Sequence, residues 1–472
     1  MNEFKNIFFI GIGGIGMSAL ARYFHSVGKI VYGYDKTSTK LTRELESLGM
    51  SVHYTDDLDN IPSNLVPENT LVVITPAIPK SHSEWNYFLD NGFEIKKRSE
   101  VLGLITKDTY CFAVAGTHGK TTTTAILGHI LHQSGVDVTA FVGGIVENYH
   151  SNLIGNGKTV TVVEADEFDR SFLKLYPDMA CVTSMDADHL DIYGDSSHIE
   201  EAFIDFANKI QDKNKLFVAK GLPLDGVQIE VSDNQGTSKT LPFLGGERIF
   251  KAENVRIENG AYVFDVHTTE DTIKDIRFHL FGKHNLSNAL MALSMAKTYG
   301  ISDENIRKAL ESFKGIERRF SYKIKTDNLV LIDDYAHHPT EINAVYKAVK
   351  ELYPTRKNLV IFQPHLFSRT RDFLEGFAES LSQFDEVILL DIYPARELPI
   401  EGITSGLLLE KINNPNKKIV SKQELEKEVL TSNAQIIAMV GAGDIGEMVV
   451  PLAEDLQIHK FTNSQSSKET KS

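Results

Sequence analysis

Gly-Thr-His-Gly-Lys-Thr-Thr at 116–122 follows the apolar run 110–115 and precedes Ala-Ile-Leu-Gly-His-Ile-Leu at 125–131. Strand, glycine-rich turn, Lys-Thr and helix is an arrangement that cradles phosphate. Glycines let backbone N–H groups close on phosphate oxygens, and a helix N-terminus favours negative charge. In such a cradle Gly116, Thr117, His118, Gly119, Lys120, Thr121 and Thr122 surround the phosphates, Lys120 reaches the terminal ones, and the Thr121 hydroxyl can touch a bound Mg2+. The spacing departs from the usual G-x-x-x-x-G-K-[ST] loop, whose first glycine would fall on Val114. This shorter turn points away from ordinary kinases and GTPases. A plain glycine turn before a threonine-rich helix would leave the lysine without a purpose.

Other reactive residue types also gather where strands should end. Gly11, Gly13, Gly14 and Gly16 make a G-x-G-x-x-G match between an expected strand and helix. Asp35 closes the next strand, where a dinucleotide fold keeps its ribose acid. The loop suits NAD(P), but it would hold any pyrophosphate, including that of a UDP-sugar, and a phosphate loop directly downstream weighs against NAD(P). A second match, Gly441, Gly443 and Gly446, reads as tight strand–helix packing. Glu164-Ala-Asp166-Glu167-Phe-Asp169 ends a strand, where Glu164 can help neutralise an ATP–metal complex, since hard cations prefer carboxylate oxygen. His189, between Asp188 and Asp191 after the following strand, is either a second metal-binding point or a structural histidine. Asn285 and Asn288, three apart, share a helix face and could read a base or cap the helix; capping explains one but hardly both. Asp333, Asp334, His337, His338 and Glu341, then His365, Ser368, Arg369 and Arg371, read together as a charged-substrate site and pair by pair as solvated side chains.

The elements that must carry these residues alternate. Strands are expected at 6–10, 30–34, 71–75, 110–115, 159–164, 180–184, 329–332, 359–362, 386–390 and 436–440. Helices are expected at 17–26, 41–48, 198–210 and 285–299. This βαβ pattern calls for α/β layers with parallel, doubly wound sheets. Residues 216–280 are less clear, with short β-like runs such as 261–267. Residues 459–472 are polar, rich in Ser, Lys and Thr, and are expected to be a disordered tail. No internal repeat is visible.

At 472 residues the chain suggests about three domains. A formal net charge of −15 argues against nucleic-acid and anionic-membrane partners. The two cysteines, Cys111 and Cys181, lie in apolar runs and read as reduced, buried thiols. No signal peptide or membrane-length apolar run is seen, so a cytoplasmic location is expected.

The motifs A-G-T-H-G-K-T-T-T-T at 115–124, E-A-D-E at 164–167, D-H-L-D at 188–191, H-N-x-x-N-A at 284–289, E-R-R-F at 317–320, D-D-Y-A-H-H-P-T-E at 333–341 and G-I-G-G-I-G-M-S at 11–18 together resemble the Mur ligases, the ATP-dependent amide-bond-forming enzymes of peptidoglycan synthesis. The resemblance covers nearly the whole chain. It implies a UDP-sugar-binding Rossmann-like domain (1–106), a central P-loop ATPase-like domain (107–318) and a C-terminal Rossmann-like domain (319–458). Within the family it points to the alanine-adding branch: L-alanine joined to the lactyl carboxylate of UDP-N-acetylmuramate through an acyl phosphate, with ATP and Mg2+, by a monomer or homodimer.

Carried over by resemblance, Gly11, Gly13, Gly14, Ile15, Gly16, Ser18 and Asp35 hold the UDP-sugar, and 116–122 holds the ATP phosphates. Thr121, Glu164 and His189 bind magnesium, and Asn285 and Asn288 meet the adenine side. Arg319 and Asp334 act on ATP, and His337, His338, Arg369 and Arg371 lie near the incoming amino acid. Several family members carry a metal-supporting lysine about ten residues past D-H-x-D-x-Y. Residues 200–206 have none, as in the alanine-adding branch. The competing readings are a relative that attaches a recycled tripeptide, an NAD-linked oxidoreductase, and a silent UDP-sugar sensor that switches with ATP.

Overall fold

The computed structural model describes residues 4–186, 196–232, 248–258, 260–395 and 397–469. The chain folds as two compact units. Met1–His279 with Asn285–Lys314 form the first, and Leu280–His284 with Gly315–Ser472 form the second. The first unit holds two sheets, so the first two expected domains share one unit.

The N-terminal sheet is five-stranded and wholly parallel, in the order Ser51–His53, Ile30–Tyr34, Asn6–Ile10, Thr70–Ile74, Glu94–Lys97. Asn6–Ile10 and Thr70–Ile74 are buried at every position. They are apolar runs rather than alternating ones because helices cover both faces of a parallel sheet. The crossovers leave Asn6–Ile10 in opposite directions, so the glycine loop after Ile10 lies at a topological switch point, where ligands bind in open α/β sheets.

The second sheet has ten strands, with Tyr110–Ala115 between Met179–Val182 and Val160–Ala165. Val114 is paired with Glu164 and Ala115 with Ala165. The phosphate loop, the E-A-D-E turn and the segment 183–186 therefore leave adjacent strands at the same sheet edge. The unclear stretch resolves into Leu216–Ala219, Val227–Val231 and Ile249–Glu258, which continue the parallel run, followed by antiparallel Ala261–His267 and Thr272–Phe278. Short strands and a bulge between Glu253 and Arg256 blurred the alternation there.

In the second unit six strands run Ser321–Lys325, Val330–Asp334, Ile436–Val440, Asn358–Phe362, Glu386–Leu389, Lys417–Ile419. The first pair is antiparallel and the rest parallel. Separate apolar cores cover its two faces. The final helix, Ile445–Glu469, continues through residues expected to be a disordered tail. Residues 459–469 contain no Gly or Pro, so nothing interrupts the backbone hydrogen-bond ladder. Among the described residues no helix is long and apolar enough to cross a membrane. Cys111 and Cys181 are buried free thiols, as expected.

Candidate active site

The phosphate loop is held from both sides. Gly116 and Gly119 have φ of 131° and 84°, a region L side chains rarely adopt. Gly119 opens the helix Lys120–Gln133, and a Cβ there would lie 2.5 Å from Asn288 Oδ1. Asn288 thus stands beside the phosphate turn, with Asn285 also buried on the same helix. The hydroxyls of Thr117 and Ser184 are 2.9 Å apart, and the His118 N–H donates to Ser184 Oγ at 2.8 Å. The His118 ring lies 3.6 Å from Asp186. Thr122 is buried in the first helical turn.

Lys120 and Glu164 share this end of the sheet. The Lys120 ammonium donates to Gly116 O at 2.6 Å and to both Glu167 oxygens at 3.0 and 2.8 Å. Burial opposes its charge, yet Glu167 more than offsets this and holds its pKa above the ordinary lysine value. Glu164 accepts from the Gly143 N–H at 2.5 Å and from the Thr121 hydroxyl at 3.1 Å. Its burial pushes the carboxyl above its ordinary value, against the Gly143 N–H and Lys120. One half-buried carboxylate beside one hydroxyl at a phosphate loop suits Mg2+, which takes one or two carboxylates together with substrate phosphates. Among the described residues no cluster of three or more His, Cys, Asp or Glu could hold a metal alone. His189 lies outside the described residues.

The N-terminal loop faces the same region. A cavity of about 340 Å³ is lined by Gly14, Ile15, Gly16 and Met17 on one side and by Gly143, Glu164 and Asp166 on the other, with Arg98 between. Asp35 is engaged by the loop itself, accepting the Gly13 N–H at 2.8 Å. A Cβ at Gly13 would lie the same 2.8 Å from that carboxylate, so the glycine is needed for close approach. Ser18 is fully buried and donates to Ile15 O at 2.9 Å. Asn152 donates to the Ser18 hydroxyl at 2.8 Å and to Ile15 O at 2.6 Å. Ser18 therefore fastens the start of helix Ile15–Ser26. Gly11, with φ of 89°, starts the loop.

In the second unit, Asp334 is buried and accepts the Phe320 and Ala336 N–H groups, each at 2.7 Å. Burial, against the pull of Arg319, raises its pKa to about 6. Arg319 lies over the Tyr335 ring at 5.4 Å and 3.9 Å from Glu341. The His337 ring hydrogen-bonds Tyr335 O at 3.0 Å and lies 3.4 Å from Glu341. Its burial lowers its pKa, against Glu341. Arg369 reaches the His365 ring at 3.3 Å. Arg319, Asp334, His337 and Arg369 thus come into one neighbourhood. His338 also caps helix Pro339–Leu352 by accepting the Thr340 N–H, and Arg371 is half-exposed on its neighbour Asp372 at 2.7 Å. In the second glycine match, Arg318 donates to Gly441 O at 2.5 Å, consistent with tight packing there.

Sequence reasoning missed Arg98, Glu167 as partner of Lys120, and Ser184. Only Glu167 carried a local signal, its place in E-A-D-E.

Three family models match: the Mur ligase family catalytic domain at 6–110, the Mur ligase middle domain at 114–296, and the Mur ligase glutamate ligase domain at 318–447. The UDP-N-acetylmuramate–L-alanine ligase of Flavobacterium johnsoniae is 66% identical over 449 residues, covering 95% of this chain and 97% of that protein. Among solved structures, the UDP-N-acetylmuramate–alanine ligase of Thermotoga maritima matches with a TM-score of 0.78 at 29% identity, covering 97% of this chain and 99% of that one. A murein peptide ligase from Psychrobacter arcticus shares the fold, with a TM-score of 0.66 at 24% identity over 96% of this chain and 98% of that one. With these matches spanning both units and every motif of the phosphate site, the chain belongs to the Mur ligase family.

Proposed function

We propose that the chain joins L-alanine to the lactyl carboxylate of UDP-N-acetylmuramate, consuming ATP, as a step in peptidoglycan precursor synthesis. The observation that carries this reading is the shared cavity. The glycine loop suited to a UDP-sugar pyrophosphate and the carboxylate beside the phosphate loop line one space of about 340 Å³. The names of the alanine-ligating relatives support the choice of substrates.

A carboxylate is a poor acyl donor, and phosphorylation supplies a leaving group. The lactyl carboxylate oxygen attacks the γ-phosphorus, and the bond to the β,γ-bridging oxygen breaks to release ADP. The neutral amine of alanine then attacks the acyl phosphate carbonyl. The tetrahedral adduct expels inorganic phosphate and the amine loses its proton. Backbone N–H groups of 116–122, the N-terminus of helix Lys120–Gln133 and Lys120 stabilise the charge that builds on the transferring phosphoryl group. Glu164 and the Thr121 hydroxyl would hold Mg2+, which supplies further charge neutralisation on the phosphates. Arg319, His337 and Arg369 are assigned to the amino-acid side. No enzyme nucleophile is required.

The test is phosphate release from ATP with UDP-N-acetylmuramate and one amine at a time. Alanine-dependent release is the expected outcome. Release only with a tripeptide would transfer the reading to a peptide ligase, and no release with any amine would overturn ligation.

A further inference from the structure

We infer that Asp166 and Glu167 couple the cavity beside the first glycine loop to the phosphate lysine, so that an anion seated against Arg98 loosens the hold of Glu167 on Lys120. This rests on the ligase reading, in which UDP-N-acetylmuramate occupies the cavity and ATP the phosphate loop.

Arg98 stands where the N-terminal loop meets the second sheet. A Cβ at Gly16 would lie 2.7 Å from its guanidinium, and the same guanidinium pairs with Asp166 at 3.3 Å. Both partners of that pair are about a third exposed, so it is weak and open to competition from a better anion. The next residue, Glu167, is buried and carries both its oxygens to Lys120. An ammonium has three N–H donors. Those of Lys120 are committed to Glu167 and to Gly116 O, so it serves a phosphate oxygen only when Glu167 yields.

Asp166 and Glu167 also open one turn. Asp166 O accepts the Phe172 N–H at 3.0 Å and the Ser171 hydroxyl at 2.9 Å, and Glu167 O accepts the Arg170 N–H at 2.9 Å. Arg170 has φ of 51°, a left-handed conformation that costs a non-glycine residue energy and persists only while its surroundings enforce it. The Arg98–Asp166 pair is one such restraint. A sugar pyrophosphate or lactyl carboxylate that takes the Arg98 donors and repels Asp166 removes it. The turn relaxes, and Glu167 moves with its neighbour. Because coupling is reciprocal, ATP must also tighten the sugar.

The test is calorimetric titration of the full chain with a non-hydrolysable ATP analogue and magnesium, with and without UDP-N-acetylmuramate, for the wild type, Asp166→Asn and Glu167→Gln. In the wild type the sugar should tighten the analogue by about fivefold or more. Glu167→Gln, which weakens the competitor for Lys120, should bind the analogue more tightly than wild type without the sugar. Neither variant should respond to the sugar. A sugar effect that persists in either variant, weaker analogue binding by Glu167→Gln, or no sugar effect in the wild type would each overturn the relay. A wild type that binds neither ligand would overturn the ligase reading itself. Thermal midpoints identify a variant that loses binding through misfolding, and sugar-dependent tightening in Glu167→Asp, which keeps the charge, separates coupling from a merely structural role.

Discussion

Lys120 is a half-buried cation set on a buried anion, and its two roles can be separated. Lys120→Ala removes the charge that faces the phosphates and should lower turnover by about 10²–10³-fold. It also removes the ammonium that both oxygens of Glu167, only 2% exposed, accept from, which should cost up to roughly 3–5 kcal/mol of stability. Adding Glu167→Gln to Lys120→Ala should restore most of the thermal midpoint and none of the turnover; phosphate release and calorimetry on both variants check this. Asp334 makes a pH-dependent contribution of definite sign. Its folded pKa of about 6 lies above the ordinary 3.8, so the folded state holds the proton. That contribution is complete below about pH 4 and is lost as pH rises through about 6, amounting to roughly 3 kcal/mol. Asp334→Asn stays neutral throughout. The stability difference between variant and wild type, from urea unfolding, should move in favour of Asn by about that amount between about pH 4 and pH 7. A flat difference would contradict the burial of the carboxyl.

At the scale of elements, the proposed phosphate chemistry depends on how two helices start. Lys120–Gln133 starts at a glycine with no side-chain cap, and Ile15–Ser26 likewise starts at Gly14 with none. Bare N-termini leave N–H groups for an anion. The second start is secured from a distance: Asn152, on the strand Ser151–Ile154, bonds Ile15 O and Ser18 Oγ. Asn152→Ala leaves the buried Ser18 hydroxyl and Ile15 O short of a donor and should cost about 1–3 kcal/mol. It should raise the KM for UDP-N-acetylmuramate more than the KM for ATP, as steady-state kinetics with each substrate varied would show. Strands 6–10, 30–34 and 110–115 were readable because each is a short apolar run closed by glycine or aspartate. The region 216–280 was not, because its strands are short, one is bulged, and their pairing is settled by neighbours in the sheet.

At the scale of the molecule, the two units differ in what they need. Residues 315–472 contain a six-stranded sheet covered on both faces by apolar cores of their own. That is enough burial for independent folding. Expressed alone, 315–472 should give a helical and sheet circular dichroism signal and a cooperative thermal transition. A spectrum without structure would show that Leu280–His284 or the first unit is required.

Residue types and their local spacing were sufficient to place glycine turns between strand and helix at 116–122 and 11–16, Glu164 at a strand end and an α/β class for the whole chain. Those features depend on backbone conformation and short-range periodicity, which neighbouring residues dictate. The partners of the reactive groups lay beyond that reach. Arg98 meets Asp166 across 68 positions and Lys120 meets Glu167 across 47. Ser18 and Asp35, expected at the sugar, also bond Asn152 and the Gly13 N–H, and His338, expected beside the amino acid, also caps a helix. Pairing of charges and filling of hydrogen bonds are set by which strand ends the sheet order brings side by side, and that order emerges only when the whole chain packs.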